Sequence, residues 1–517
     1  MLDYMLDEAA RLSQPVTVGE GRQQDKNYVI RQITEFLSSP IRKAMLDGEK
    51  YYAGRHDILD RKRTVIGEDG ELVEVKNLPN NRIVDNQYKK MVDQKVNYLI
   101  GQPISVHSDN KQYAKALKQV FNKRFQCLLK SVGEDSLNCG IGWMFVGLDE
   151  NGELAFRRMR PYELIPSWAD SEHTKLDYVI RIYEIIKYEN KTEKIVRKVE
   201  IYDENGINFF EMQGSGLTPV KPYHQPYIMQ VDDSGVMMDG WGWSRIPLVP
   251  FKYNAKEIPL IKMVKSLQDG LNLIESNFQN SMEEDARNTI LVVMNYDGED
   301  LGEFRRNLAQ FGAVKVSTID GAGGDIKTLQ VEVDSENYKA VLELFKKAII
   351  ENAMGYDAKD DRLNGNPNQM NIQSMYSDID LDANNMETEY QASMEELLWF
   401  IDNYLADTGK GNFEGEDVDI IFNRDMLISE GEVIDNCIKS LGILSDETVI
   451  AMHPWVDDPA AELERLKRQR EENVEQYGMA FNRESDREDA SEDREGSSEE
   501  NEEGSKDGKP DEEEGKK

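Results

Sequence analysis

The sequence predicts an α+β chain of several domains, mainly helical, with one antiparallel sheet region and one small α/β insert. Three observations lead there. Apolar residues recur at helical spacing through residues 35–135 and again through 256–407. The period changes to two across about 140–232. A strand-rich segment, 288–334, interrupts two long helical patterns. At 517 residues the chain exceeds what one hydrophobic core usually serves, so two to four modules are expected.

Taken in order, "EFLSSPIRKAMLDGEKYYAG" (35–54) and "NNRIVDNQYKKMVDQKVNYLIGQP" (80–103) both show helical spacing. In the second, Val84, Tyr88, Met91, Val92 and Leu99 share a face, and Gly101 with Pro103 ends it. "YAKALKQVFNKRFQCLLKSVGED" (113–135) supplies another helix. "IGWMFVGLDENGELAFRRM" (141–159) reads as a hairpin around Asn151-Gly152, a pair suited to a type I′ turn. The tetrapeptide "DENG" returns at 203–206 between two further strands, and "LDYVIRIYEIIKY" (176–188) completes the sheet region. "GWGWSRIPLVPF" (240–251) is a junction, because Pro247 and Pro250 forbid helix continuity.

After the junction, 256–286 repeats apolar residues every three or four positions from Ile258 to Met282, which predicts a rod of about 45 Å with a polar back. The insert reads as strand "TILVVM", helix "GEFRRNLAQF" and strands "AVKVS" and "TLQVEV". A second helix covers 335–356, and a third runs from Ile372 to Asp407. Between them lies the polar stretch "DDRLNGNPNQMN" (360–371), longer than most helix–helix connections. A last helical group spans 430–470, with Ser445 as an N-cap.

Charge narrows the function. The chain carries a formal −36, and residues 471–517 contribute 19 acidic against 7 basic residues. That Ser- and Gly-rich tail cannot bury enough surface to offset its ordering entropy, so disorder is expected from about Gln476–Ser485 onward. The body stays acidic, its densest basic run being the short "LDRKRTV" (59–65). Tight phosphate binding needs clustered Lys and Arg, so any contact with DNA is expected to be weak, and anionic membranes are disfavoured.

No stretch approaches the apolar length of a membrane span, and the N-terminus lacks a signal-peptide pattern, so a soluble intracellular chain is expected. Cys127, Cys139 and Cys437 form neither a disulfide framework nor a metal pattern and are expected to be inert thiols. His56, His107, His173, His224 and His453 are scattered without ligand spacing. "GAGGD" (321–325) and "TGKGNF" (408–413) lack the residues of a phosphate loop. Asp378 and Asp382 stand one helical turn apart, with Asp380 pointing elsewhere. They are the strongest case for a metal-dependent nuclease, weighed against a solvated acidic face. No catalytic residue, metal site or cofactor is expected, and the chain reads as a non-enzyme.

The order of segments carries a resemblance. "NNRIVDNQYKKMVDQKVNYLIGQPISVHSDN", "GWGWSRIPLVPFKYN" with its following helix, and "NYDGEDLGEFRRNLAQFGAVKVS" resemble the portal proteins of long-tailed phages of Gram-positive bacteria. So do "NAMGYDAKDDRLNGNPNQMNIQSMYSDIDLDANNMETEY", "YLADTGKGNF", "HPWVDDPAAELERL" and the acidic tail. The similarity covers about 35–475. It implies a multidomain portal fold and a homo-oligomeric ring of about twelve copies at one capsid vertex. DNA would be packaged, retained and ejected through its channel. Residues 1–255 would form the wing, 256–287 and 335–356 the stem helices, and 288–334 the clip. Residues 357–371 would be the tunnel loop, 372–407 the helix joining it to wing and crown, 408–470 the crown, and 471–517 the tail.

The resemblance also assigns positions. Lys359, Asp360, Asp361, Arg362, Leu363, Asn364, Gly365, Asn366, Pro367, Asn368 and Gln369 would face the channel, although this loop matches no fixed family motif. Glu303, Arg305, Arg306 and Gln310 would be docking candidates on the clip. Implied partners are the terminase large subunit, a head-completion adaptor, scaffold and major capsid protein, and double-stranded DNA held weakly, with no membrane. The implied location is the virion, with host cytoplasm during assembly. The remaining alternatives are the nuclease and a DNA-independent capsid scaffold.

Overall fold

The computed structural model describes residues 21–66, 70–76, 78–189, 191–214, 216–231, 237–285, 290–294, 325–329, 335–358, 369–424, 430–456, 459 and 461–470. The chain divides into two units, one holding 1–366 with 370–427 and the other 367–369 with 428–517.

In the first unit the helical pattern at 35–54 splits in two. Helix α1 (Lys26–Leu37) ends before Ser38, and α2 (Pro40–Tyr52) begins at a proline whose missing N–H costs nothing in a first turn. Ser39 Oγ caps α2 by accepting from Arg42 N at 3.1 Å. After a small hairpin, β1 (Thr64–Ile66) with β2 (Leu72–Glu74), comes α3 (Gln87–Ile100). Its first turn is fixed by the Asn86 side chain, which accepts from Lys89 N at 2.9 Å, so Val84 lies outside the helix. Strand β3 (Ser105–His107) leads to α4 (Lys111–Val120) and α5 (Lys123–Cys139). The break between α4 and α5 falls at Asn122, which caps the second by accepting from Arg124 N and Phe125 N.

The period-two region forms two antiparallel sheets. β4 (Ile141–Leu148) and β5 (Leu154–Met159) pair as the expected hairpin. β6 (Leu164–Trp168), β7 (Leu176–Glu189), β8 (Thr192–Asp203), β9 (Gly206–Gln213) and β10 (Gly216–Gln225) form a five-stranded meander. Neither DENG turn has the type I′ form, because Asn151, Glu204 and Asn205 keep negative φ while Gly152 and Gly206 take 75° and 151°. The aspartate decides this: Asp149 Oδ1 accepts from Asn151 N and Glu153 N, and Asp203 Oδ1 from Asn205 N and Gly206 N. A further pair, β11 (Ile228–Val231) with β12 (Met237–Trp241), precedes the junction.

The junction is more than a break. "LVPFK" becomes β13 (Leu248–Lys252), fully buried and paired with β4, with Pro250 tolerated on an edge strand. Gly140, between α5 and β4, has φ 86°, and a Cβ there would lie 2.0 Å from Glu257 O, so the chain needs glycine at this corner. The long helix α6 (Ile261–Asp285) starts five residues later than its pattern suggests. Asn254 Oδ1 holds Lys256 N and Ile258 N in a turn instead, and the rod measures about 37 Å. Of the insert, β14 (Ile290–Met294) and β15 (Asp325–Leu329) pair antiparallel. The second strand sits earlier than "TLQVEV", while "GEFRRNLAQF" and "AVKVS" fall outside the described residues, as does the tail.

Helix α7 (Ser335–Asn352) packs beside α6, with Phe278 and Tyr338 rings 4.8 Å apart. Helix α8 (Gln369–Asp407) is about 58 Å long, and every apolar position expected on its face, from Ile372 to Leu405, is buried. "TGKGNF" ends it, with Gly409 at φ 68° and Lys410 N donating to Leu405 O at 2.9 Å, and β16 (Asp419–Ile421) pairs with β3. The main core lies among α3, α5, α6 and α8 beneath the three-stranded sheet. A separate cluster seats Val29 and Ile33 of α1 on the five-stranded sheet. The second unit contains α9 (Glu430–Ser440), α10 (Asp446–Ala451) and a helical stretch at 461–470. Ser445 caps α10 as expected, accepting from Thr448 N at 3.3 Å.

The back of α6 is polar but not solvated. Gln268, Asn272, Ser276 and Asn280 recur every fourth residue and are all essentially fully buried. They face an extended stretch of chain running the opposite way. Asn280 Oδ1 accepts from Asn81 N at 2.7 Å, Ser276 Oγ from Ile83 N at 3.0 Å, and Asn272 Oδ1 from Asp85 N at 3.1 Å. Gln268 Oε1 takes Tyr88 N at 3.0 Å while its Nε2 donates to Asp85 O at 2.7 Å. The match is geometric: four helical residues rise about 6 Å, close to the advance of two extended residues. His56 closes the row, its Nδ1 accepting from Asn272 Nδ2 at 2.8 Å and its Nε2 donating to Tyr51 O at 3.1 Å.

One buried ion pair crosses the core. Lys95 Nζ of α3 lies 2.5 Å from Asp382 Oδ2 of α8, and Tyr253 OH donates to Asp382 Oδ1 at 2.9 Å. Burial pushes the Lys95 ammonium down, against the pull of Asp382.

Three outcomes follow from this packing. Asn272→Ala strands a buried N–H of Asp85 and the His56 ring, and is expected to lower unfolding free energy by about 3 kcal/mol in denaturant titrations. Burial holds His56 below the ordinary imidazole range, against its hydrogen bond to Tyr51 O. Its contribution is therefore complete above about pH 6.5 and declines as pH falls below that value, because the unfolded chain then binds the extra proton. The fall in midpoint between about pH 7 and pH 5 should be shallower in His56→Phe than in the parent. Asp382→Ala should cost about 3–5 kcal/mol, and Lys95→Met with Asp382→Leu should recover most of it.

Candidate functional site

The described residues place both roots of the 359–368 stretch against α3. Just past the end of α7, Met354 takes a left-handed φ of 51°, and Gly355 N donates to Ile350 O at 2.9 Å. Gly355 follows because space is short, since a Cβ there would lie 2.7 Å from Met91 Sδ and 2.8 Å from Gln94 Oε1. Gln94 then grips the next residue twice. Its Nε2 donates to Tyr356 O at 2.9 Å and its Oε1 accepts from Tyr356 N at 3.1 Å, as a strand neighbour would. Lys95 Nζ adds a hydrogen bond to Met354 O at 3.2 Å.

The other root is seated in the same place. Ile372, Met375 and Tyr376 of α8 are buried, and the Tyr376 ring lies 4.6 Å from Tyr356 and 5.7 Å from Tyr98. Tyr98 OH donates to Asp380, and burial together with that carboxylate pushes the hydroxyl well above its ordinary range. Arg424 approaches Asp380 at 2.9 Å and Glu387 at 2.6 Å. A cleft of about 490 Å³, lined by Lys89, Lys90, Asp93, Gln94, Tyr356 and Ala358 among others, opens where the chain leaves this anchor. The arrangement fixes two chain ends.

Of the residues expected at the channel, Lys359, Asp360, Asp361, Arg362, Leu363, Asn364, Gly365, Asn366, Pro367 and Asn368 lie outside the described residues. Gln369 begins α8, so the helix starts three residues earlier than its apolar pattern. Glu303, Arg305, Arg306 and Gln310 also lie outside the described residues. The acidic pair does not come together as a metal site: Asp378 is exposed, while both Asp382 oxygens are engaged by Lys95 and Tyr253. Among the described residues no group of three His, Cys, Asp or Glu side chains is arranged to hold a metal ion. None of the described helices is long and apolar enough to cross a membrane. Cys139 and Cys437 are buried and Cys127 is exposed.

The anchor residues Gln94, Lys95, Tyr98 and Tyr376 carry no motif. Their one signal is Lys95 inside the apolar run "KVNYLI", an uncommon place for an ammonium unless it is paired.

Residues 41–476 match the family described as "Phage portal protein, SPP1 Gp6-like". The chain is 27% identical over 471 residues to the portal protein of Bacillus phage SPP1, covering 90% of this chain and 91% of that one. It is 27% identical over 444 residues to the portal protein of Clostridium phage phiCD119, covering 82% of this chain and 92% of the relative. With the match running through the anchor, the ladder and both sheets, the chain belongs to the SPP1 Gp6-like family of phage portal proteins.

Proposed function

We propose that this chain assembles head to tail into a ring of about twelve copies whose channel passes double-stranded DNA during packaging, retention and ejection. The observation that carries the reading is the anchor. A polar, unpatterned stretch of ten residues, 359–368, leaves and re-enters a rigid seat made by Gln94, Lys95, Tyr98, Tyr356 and Tyr376. Fixed roots and a hydrophilic span suit a loop that must touch a sliding duplex without gripping it.

In this reading α6 and α7 are the stem, with Lys346 Nζ tying them to the extended stretch through Asp85 at 2.6 Å and Glu275 at 3.6 Å. Residues 1–255 form the wing, 288–334 the clip, 357–371 the tunnel loop and 408–470 the crown. The clip, with Glu303, Arg305, Arg306 and Gln310, docks the terminase large subunit during packaging and the head-completion adaptor afterwards. Scaffold and major capsid protein meet the ring at the vertex. An acidic body favours this work, because repulsion keeps DNA centred while scattered Lys and Arg make brief, sequence-blind phosphate contacts. Energy for translocation comes from the partner motor.

Deleting 360–369 is expected to leave rings intact in negative-stain images but to reduce DNA packaged or retained per particle. Packaging at the parent level by that variant refutes the loop assignment. Monomers or solid particles from the parent chain refute the ring itself.

A further inference from the structure

The second unit leaves an apolar surface uncovered. Among the described residues of α9 and α10 the buried apolar side chains are Cys437 and Val449, with the Cys437 thiol 3.8 Å from Val449 O. Ile438 and Leu441, three residues apart at the end of α9, are exposed, and so are Ile443 and Leu444 in the turn before α10. Their exposure runs from 50% at Leu444 to 80% at Ile443. The turn gathers them: Leu441 N donates to Ile438 O at 3.3 Å, Leu444 N to Ser440 O at 3.1 Å, and Leu441 and Leu444 form a bridge. Adjoining exposed aliphatic side chains of this kind mark an interaction surface.

The path of the chain names the occupant. The helical stretch at 461–470 comes back to this turn, with an Arg470 guanidinium nitrogen 3.0 Å from Asp446 Oδ2, two residues beyond Leu444. Residues 471–517 follow and lie outside the described residues. Their aliphatic and aromatic side chains gather in "VEQYGMAF" (474–481), with Val474, Tyr477, Met479, Ala480 and Phe481, and beyond Phe481 the single such residue is Ala490. Val474, Tyr477 and Phe481 stand at i, i+3 and i+7, the spacing of one helical face.

Reach and charge both favour this segment. Val474 follows Arg470 closely enough to lie within about 13 Å of it when extended, and Phe481 within about 36 Å. So short a tether holds the segment at an effective concentration of roughly millimolar order, above that of any separate molecule in dilute solution. The stretch leading to the exit is basic, with Arg465, Lys467, Arg468 and Arg470. The run after Phe481 turns acidic, with Glu484, Asp486, Glu488 and Asp489. A segment that doubles back therefore brings opposite charges together as it covers the apolar turn.

We propose that residues 474–481 fold back over the turn between α9 and α10 of their own chain and cover Ile438, Leu441, Ile443 and Leu444. The contact lies within one copy and does not depend on the ring reading. The acidic run from Glu484 onward then starts from a fixed point on the second unit, beside the basic 465–470 stretch. Composition opposes ordering only past Phe481, where the apolar surface that could offset its entropy runs out.

The test is hydrogen exchange and chymotrypsin cleavage on the full-length, unassembled chain at a low and a high protein concentration. In the parent, residues 441–446 and 474–481 are expected to be protected together, and equally at both concentrations. Ile443→Asp with Leu444→Asp, both at exposed positions, should speed cleavage after Tyr477 and Phe481 by at least about tenfold. Tyr477→Ser with Phe481→Ser should raise exchange of 441–446 while the first unit exchanges as in the parent, which separates lost docking from misfolding. Exchange of 474–481 in the parent at the rate of an unstructured peptide overturns the proposal. Protection that rises with concentration assigns the turn to a second copy, and protection of 441–446 that survives the tail substitutions assigns it to another occupant. Either result also overturns it.

Discussion

The row of amide and hydroxyl side chains on α6 is the constraint on which much of the first unit depends. Residues 81–86 approach it as a chain with no sheet partner, and their inward N–H groups, with that of Tyr88 in the first turn of α3, would be orphaned without Gln268, Asn272, Ser276 and Asn280. Buried backbone groups must find partners. A helix face can serve as a strand edge here because its four-residue rise nearly equals a two-residue strand step. This fixes the start of α3 against the middle of α6. Through Lys346 and Asp85 it also fixes α7, and through Lys95 and Asp382 it reaches α8. The seat of the 359–368 stretch is thus the far end of one connected polar framework set in an apolar core.

That framework suits a chain required to hold shape around moving cargo. Apolar packing alone tolerates small slips of one helix along another. A set of directional hydrogen bonds does not, since a shift by one residue breaks several at once. Gln94 repeats the device on a smaller scale, holding Tyr356 by both backbone groups. Helices with fixed roots are the kind of scaffold on which binding loops are commonly carried.

The acidic surface and the framework address different problems. Surface charge acts over about a Debye length and governs whether DNA adheres. The buried pairs and amides act at contact distance and govern where α6, α7 and the two roots of the 359–368 stretch sit.

Much was determined by the sequence itself. Apolar periodicity placed α8 and its buried face almost residue by residue, and period two located the sheet region, because burial of one face is a local, repeating demand. The family was legible too, since ordered segments along most of the chain are a one-dimensional property. Only the tertiary structure decided the rest. It split 35–54 and 113–135 at polar caps, turned "LVPFK" into a buried edge strand, and gave both DENG turns to their aspartates. Above all it made the polar back of α6 an interior surface. A four-residue spacing of Gln, Asn and Ser reads equally well as a wet face or a buried ladder. Which of the two it is depends on a strand-like segment nearly two hundred residues earlier, whose unpaired N–H groups supply the reason to bury it.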